Sequence, residues 1–244
     1  GRYPGLTLSG LSGTAGSPIT VRGSAAGEPA VIVGRACCAG VLLRDVAHVR
    51  LQHLTVDLEG QPVDGLLAEA ARGGVHHVTL EDLRFIGFAA DVDLAGIRTR
   101  SPAWDWVVRR VVIERAGLGL ALGTTGGRAP FVRGLIEQLL VVDPLRSALD
   151  VAAVPAWPAL AELPGEPSRT VLRDVVFVRT SPLGPGVFPR PMVVYGAGPT
   201  AGPGSGSTLE IYGALVLDTA SLDIPLAEIA ARAVVHHSLW VNGT

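Results

Sequence analysis

Three aspartates are the residues best suited to acid–base chemistry. Asp93, Asp150 and Asp223 each follow an apolar residue within a short apolar run. Inverting glycosidases hold an acid and a base roughly 6.5 to 9.5 Å apart, and residues two strands apart in a stacked sheet are separated by about 10 Å. If Asp93 and Asp150 occupy strands two apart, their spacing approaches this range. We therefore take the three aspartates as candidate catalytic residues.

Three further residues are candidates for binding a sugar. Arg44 and Glu69 flank the same set of apolar runs and offer a charged donor and a charged acceptor. Trp157 lies in a proline-rich segment, where an exposed indole could stack on a pyranose ring. We predict that these three residues contact substrate.

Three potential metal ligands form a column, but their geometry is poorly suited to a metal site. His48, His77 and Asp105 occupy the same position in three successive repeats. Transition-metal sites need three or four converging ligands, whereas side chains in a column on a flat sheet diverge. Consecutive strand residues also point to opposite faces, which separates His76 from His77. We therefore expect solvated histidines and no metal site.

Composition excludes several classes of function. Each of the 20 basic residues is arginine, so lyase chemistry with a lysine base is excluded. The net charge of −2 gives no electrostatic reason to expect a nucleic-acid partner, and no apolar run is long enough to predict a transmembrane helix. Cys37 and Cys38 are adjacent, which disfavours a disulfide between them. We expect both to be buried, with a reactive or intermolecular thiol as the alternative.

The elements that must position these residues repeat along the chain. Two apolar-alternating runs joined by a polar pair occur seven times, and a third apolar run precedes each unit. The central residues of the units are Leu51, Leu80, Val108, Ile136, Leu172, Ile211 and Val235. Their spacing of 24 to 39 residues is typical of a solenoid. Three short parallel strands per repeat predict an all-β fold, a single-stranded parallel β-helix.

The same alignment predicts the organisation of the whole chain. We expect one domain over residues 1–244, with about seven to eight coils and right-handed crossovers. Residues 152–168 and 181–207 are rich in proline and glycine and are predicted to be long loop insertions. Stacking also predicts a corner ladder of alternating charge, Glu81–Arg109–Glu137–Arg173.

The opening of the chain carries a family resemblance. Residues 10–23, GLSGTAGSPITVRG, resemble the first coil of right-handed parallel β-helix proteins of the pectin-lyase-like superfamily, especially lyases that act on alginate and chondroitin. Residues 116–123 and 130–137 resemble bacterial β-helix repeat proteins. The resemblance implies the fold, a uronate carboxylate neutralised by Ca²⁺ or cationic side chains, and a corner ladder of asparagines. The chain departs from that ladder, because Asn242 is its only asparagine.

The sequence favours a non-catalytic role over catalysis. It shows no clear convergence of carboxylates, arginine and histidine, and residues 148–154 are apolar apart from Asp150. Such a surface suits a protein neighbour. We therefore predict an extracytoplasmic scaffold or interaction subunit, without a cofactor, whose partner is a protein or a polysaccharide. A lyase or glycoside hydrolase acting on acidic polysaccharide, with Ca²⁺ if it is a lyase, and a carbohydrate-binding module are the alternatives.

Overall fold

The computed structural model describes most of the chain. The described residues are 1–26, 28–35, 38–124, 129–152, 160, 162–164, 168–184, 186–188, 190–196, 207–220 and 224–243. Cys37, Trp157, Asp223 and much of the two predicted insertions lie outside these ranges. Cys38 is exposed, so the prediction that it is buried is wrong.

The described residues form strands and contain no helix. The first twelve strands are β1 Arg2–Pro4, β2 Leu6–Ser9, β3 Ile19–Arg22, β4 Ala30–Val33, β5 Ala39–Arg44, β6 Ala47–Asp57, β7 Asp64–Glu69, β8 Val75–Ile86, β9 Ala95–Thr99, β10 Ala103–Trp104, β11 Val107–Glu114 and β12 Leu118–Leu122. The remaining strands are β13 Phe131–Val132, β14 Leu135–Val142, β15 Ser147–Val151, β16 Ser168–Arg173, β17 Val176–Arg179, β18 Val193–Tyr195, β19 Ser207–Tyr212, β20 Leu215–Asp218, β21 Ala227–Ile229, β22 Ala233–His236 and β23 Leu239–Asn242. Within the described ranges, no helix is long and apolar enough to cross a membrane.

The strands assemble into two long parallel sheets. Sheet B contains eight strands in the order β2-β5-β7-β9-β12-β15-β18-β21, and sheet A contains the other fifteen. Long sheet A strands such as β6 and β8 turn a corner partway along, so that three faces enclose one core. The chain is therefore all-β and folds as a parallel β-helix. The number of coils and the handedness stay predictions.

The predicted register of sheet A is confirmed. The seven central residues of the repeats pair in succession, from Leu51 with Leu80 to Ile211 with Val235. All of them except Val235, which is 43% exposed, are buried. Because side chains alternate along a strand, this register places one apolar set inside and one polar set outside.

A column of glycines brings sheet B close to sheet A. Register with the neighbouring apolar residues aligns Gly40, Gly65, Gly96 and Gly119 on successive strands. A Cβ atom at Gly65 would lie 2.7 Å from Cδ1 of Phe85, and one at Gly40 would lie 2.4 Å from Cγ1 of Val56. Sheet A side chains therefore fill the space that side chains at these glycines would need.

Left-handed backbone at one corner replaces the expected asparagine ladder. The second residue of each polar pair has a positive φ: His53, Asp82, Arg110, Gln138, Asp174, Gly213 and His237. Most L-residues lose roughly 1–2 kcal/mol in this conformation, whereas glycine and asparagine tolerate it better. The corner thus adopts left-handed backbone without asparagine.

This strain predicts a stabilising substitution. Gln138 is exposed and has a φ of 54°. Gln138→Asn is expected to raise the free energy of unfolding by about 0.5 kcal/mol, because asparagine adopts left-handed backbone more easily. Urea denaturation measures the change. Gln61→Asn, where φ is not positive, is the matched control; equal effects at both positions would contradict the explanation.

Candidate functional site

The outer face of sheet B carries a different column from the one predicted. Asp150 pairs with Ala121 on one side and Val194 on the other, and Ala121 pairs with Arg98. Arg98, not Asp93, therefore occupies the strand two away from Asp150. The assumed strand around Asp93 is wrong, because β9 begins at Ala95 and Asp93 precedes it.

A cleft over this face nevertheless brings Asp93 and Asp150 together. It has a volume of about 610 Å³. Its charged lining residues are Asp93, Arg98, Arg100, Arg146, Asp150 and Arg190. The small side chain of Ala121 lines the cleft between Arg98 and Asp150 in the column and leaves room there. Two carboxylates and four guanidinium groups thus share one concave surface.

Arg98 is held in place by a buried carboxylate. Its Nε donates to Oδ2 of Asp64 at 2.8 Å, and its terminal nitrogen donates to the backbone oxygen of Asp93. Asp64 is 5% exposed and also accepts from the backbone N–H of Ala95 at 2.8 Å. Because Asp64 is buried and is also held by Ala95, it presents Arg98 to the cleft with little conformational freedom.

A buried arginine supports the opposite wall. Arg179 is fully buried and donates to the backbone oxygens of Arg146 and Arg190 at 2.9 and 3.1 Å. Its charge is paired with Asp218 on the next strand. Arg146 in turn pairs with Asp93, with Nη1 and Oδ1 2.6 Å apart. The position of this wall therefore depends on an ion pair inside the core.

Asp150 has the electrostatics of a proton-transfer group. Burial raises the pKa of its carboxyl above the ordinary value, and the positive charges of Arg146, Arg190 and Arg98 partly oppose this shift. A carboxyl with a raised pKa can exchange a proton nearer to neutral pH than an exposed one. The side chain of Asp93, by contrast, is 75% exposed.

The remaining predictions about contact residues have different outcomes. Arg44 and Glu69 form an ion pair with each other, with Nε 2.9 Å from Oε1, and neither lines the cleft. The predicted apolar contact surface is wrong where it is described, because Ala148, Leu149, Val151 and Ala152 are buried. Trp157 and Asp223 fall outside the described ranges.

The predicted charge ladder at the corner is confirmed. Nε of Arg109 lies 2.8 Å from Oε1 of Glu137, and its Nη1 lies 3.8 Å from Oε1 of Glu81. Arg173 pairs with the other oxygen of Glu137. Charges of alternating sign thus link four successive strands and stabilise their stacking.

A second ion pair at this corner predicts a pH effect. Hydrogen bonds from Arg110, at 2.6 and 2.9 Å, lower the pKa of Asp82. This contribution to stability is complete above the ordinary pKa of 3.8 and is lost as pH falls through the lowered value. Arg110→Gln is therefore expected to lose less stability on acidification from about pH 5 to pH 2. Urea denaturation at several pH values measures this, with Arg22→Gln as control; parallel pH profiles would contradict it.

Three histidines gather at a neighbouring corner. The expected stacking of His48 on His77 is confirmed, with ring centroids 4.2 Å apart. The expectation that His76 points away from His77 is wrong, because their Nδ1 atoms are 2.8 Å apart. His77 has a φ of 54°, which breaks the alternation of an extended strand. Burial, the largest cause in each case, lowers the pKa of His76 and of His77.

Sequence reasoning missed all four cleft arginines and Asp64. Arg98 could have been found from the glycine column, because Gly96 aligns with Gly65 and fixes the register of β9. Arg146 and Arg190 lie outside the strands, so no periodicity marks them. Nothing in the local sequence predicts that Asp64 is buried.

Comparison with known proteins places the fold and no more. No protein-family model matches the chain, and no curated protein matches it significantly. The crystal structure of an alginate lyase from Paenibacillus sp. str. FPU-7 is similar, with a TM-score of 0.58 at 15% identity over 100% of this chain and 89% of that one. A GH136 lacto-N-biosidase from Eubacterium ramulus gives 0.52 at 11% identity, over 98% of this chain and 60% of that one. The chain thus shares the fold of these two carbohydrate-active enzymes.

Proposed function

We propose that the chain binds an acidic polysaccharide in the sheet B cleft, outside the cytoplasm, and cleaves it with Asp150 as the proton-transfer residue. The observation that carries this proposal is the convergence of Asp150 with Arg98, Arg146 and Arg190 in one cleft. Likeness in fold to an alginate lyase and to a lacto-N-biosidase supports it. So does the resemblance of residues 10–23 to the pectin-lyase-like superfamily.

The arginines define the substrate class. Guanidinium groups bind carboxylates through paired hydrogen bonds, and their charge offsets that of a uronate. Arg98 is fixed by Asp64, whereas Arg100, whose Nη2 lies 3.7 Å from Oδ2 of the same carboxylate, is 57% exposed at its side chain. A cleft of about 610 Å³ accommodates a short run of sugar residues. Binding should therefore favour uronate-rich over neutral chains and weaken as salt increases.

The proposal reverses the preference for a non-catalytic scaffold. That preference depended on an apolar surface around Asp150 and on scattered ionisable groups. The apolar neighbours of Asp150 are instead buried, and the ionisable groups come from β9, β15 and the segments beside them. A half-buried carboxyl among three arginines is better suited to proton transfer than to contact with a protein.

A polysaccharide screen tests the proposal. The purified chain is incubated with alginate, pectate, chondroitin and neutral glycans, with Ca²⁺ and with chelator. Release of unsaturated ends would identify a lyase, and release of reducing ends alone a hydrolase. Ala121→Leu, which fills the cleft between Arg98 and Asp150, is expected to abolish binding, whereas Arg44→Gln lies outside the cleft and should not. The proposal would be overturned if the folded protein neither bound nor cleaved any of these polysaccharides.

A second candidate function is association with another protein through the last strands. Val234, Val235, Leu239 and Val241 on β22 and β23 are 37–61% exposed, and within the described ranges β20 is the one strand that pairs with β23. Unpaired, apolar strand edges recruit further strands. The chain is therefore expected to self-associate at micromolar concentration, and Leu239→Glu to weaken association about tenfold or more. Light scattering measures this, with Phe188→Glu in a loop as control; a monomeric native chain would contradict it.

A further inference from the structure

The histidine cluster has the composition of a metal site. One ring nitrogen from each of His48, His76 and His77 lies within 4.8 Å of the others, and this is the one such cluster found in the described part of the chain. His48 comes from β6, and the other two come from β8, its neighbour in sheet A. Imidazole nitrogens suit zinc, copper, nickel and iron. The ligands thus belong to two adjacent strands of a rigid sheet.

Two carboxylates hold the histidines by the nitrogens that face away from each other. Nε2 of His76 lies 3.3 Å from Oε2 of Glu162, and Nε2 of His77 lies 3.4 Å from Oδ2 of Asp105. The Nδ1 atoms of His76 and His77 face one another at 2.8 Å. Metal-binding histidines usually donate their second N–H to a carboxylate, which fixes the tautomer and turns the other nitrogen towards the metal.

Further contacts hold the carboxylate of Asp105 and the ring of His76. Nε of Arg133 donates to Oδ1 of Asp105 at 2.8 Å, so the carboxylate that holds His77 is itself held. The ring of His76 stacks on Trp104, with centroids 4.4 Å apart and an angle of 11° between the planes. Trp104 is 2% exposed and cannot move easily. His76 and His77 are therefore constrained in a way that solvated surface histidines are not.

We propose that His48, His76 and His77 bind one divalent transition-metal ion of the zinc class, with Asp105 and Glu162 as positioning residues. Ligand nitrogens around tetrahedral zinc are ~3.3 Å apart, so modest ring rotations close the cluster onto an ion. Three protein ligands leave the fourth position open. His76 and Glu162 also line an adjacent cavity of about 410 Å³, from which a water or an anion reaches that position.

The proposal is independent of the polysaccharide cleft. The histidines lie on sheet A, and none of them lines the sheet B cleft. A bound ion would link β6 to β8 and, through Glu162, to the segment that contains it. A metal ion that binds the folded chain but not the unfolded chain stabilises the folded state by mass action. The melting temperature is therefore a readout that does not depend on any catalytic activity.

Metal titration of the full chain tests the proposal. Chelator-treated protein is titrated with Zn²⁺ by calorimetry and with Co²⁺ by visible absorption. One equivalent should bind, and about a hundredfold excess over Kd should raise the melting temperature by about 5 °C. His48→Asn, which tolerates the positive φ at this position, and His76→Ala should each weaken binding at least tenfold. Asp105→Asn should weaken it by about 10- to 100-fold, because it leaves the ligands in place but loosens one of them.

Two further variants keep the test decisive. His77→Asn removes the imidazole while tolerating the left-handed backbone at this position, so it separates loss of a ligand from loss of folding. The adjacent pair His236 and His237, with Nδ1 atoms 3.3 Å apart, belongs to no three-ligand cluster in the described residues. Replacing both with alanine should change affinity less than twofold. Absence of saturable binding, or loss of binding only in this double variant, would overturn the proposal.

Discussion

Asp150→Asn is expected to lower the rate of acidic-polysaccharide cleavage by about 100-fold or more while leaving binding almost unchanged. Asparagine has nearly the same shape but can neither take nor release a proton. The arginines that line the cleft remain, so affinity measured on polysaccharide gels should persist. Initial rates and affinity, measured on the same preparation, separate the two effects.

The raised pKa of Asp150 gives this prediction a second readout. A carboxyl whose folded pKa exceeds its unfolded pKa favours the folded state at low pH and disfavours it once both states are ionised. Since burial raises the pKa of Asp150, its charge should destabilise the native chain at neutral pH. Asp150→Asn is therefore expected to raise the melting temperature at pH 7 while activity is lost. If activity were lost because the variant unfolds, its melting temperature would instead fall.

Asp93→Asn is the matched control for Asp150→Asn. Asp93 lines the same cleft and pairs with Arg146, but its side chain is 75% exposed. Asp93→Asn should change the cleavage rate less than tenfold, mainly by altering the position of Arg146. Cleavage by Asp150→Asn within threefold of the native rate would remove Asp150 from the mechanism. A larger loss in Asp93→Asn than in Asp150→Asn would reassign the proton-transfer role.

The corner of sheet A could be predicted because two independent signals agree there. Apolar residues alternate on both sides of each polar pair, and a shift of one residue would turn every one of them to the other face. The signs of Glu81, Arg109 and Glu137 also alternate between repeats, as charge pairing between stacked strands requires. Agreement between packing and charge makes the alignment of these strands unambiguous.

The register of sheet B could not be obtained in the same way. Residues 92–95 alternate as a strand does, yet β9 begins at Ala95, because Gly96 must take the place where a side chain would collide with Ile113. A Cβ atom at Gly96 would lie 2.6 Å from Cγ2 of that residue. The decisive constraint is therefore contact between sheets. The pattern of polar and apolar residues along one strand carries no information about that contact.

The histidine corner shows a second limit of periodicity. Alternation assumes extended backbone, and a positive φ at His77 violates that assumption at one residue. Histidine is enriched in left-handed backbone compared with most residues, but it does not require it. The convergence of His76 with His77 thus follows from a corner whose position is set by the stacking of neighbouring coils, and local sequence is insufficient to place it.

Removal of Asp218 is expected to cost about 3–5 kcal/mol of stability, because it leaves the charge of Arg179 buried without its partner. Both side chains are almost completely buried, and they face each other on paired strands β17 and β20. A loss of this size is a large part of the total stability of a typical domain. Urea denaturation of Asp218→Ala measures it. Glu114→Ala, in the exposed pair with Arg84, should cost only about 0.2–1 kcal/mol.

A double substitution separates the charge from the contact. Asp218→Leu combined with Arg179→Met replaces the pair with apolar side chains and should cost less than Asp218→Ala alone, since no charge remains buried. The double variant should nevertheless bind polysaccharide more weakly than the native chain does, because no side chain at position 179 then donates to the backbone oxygens of Arg146 and Arg190. If it is fully stable and binds normally, the core ion pair does not position the cleft wall. If it is stable and binds poorly, Arg179 connects the interior of the β-helix to the site on its surface.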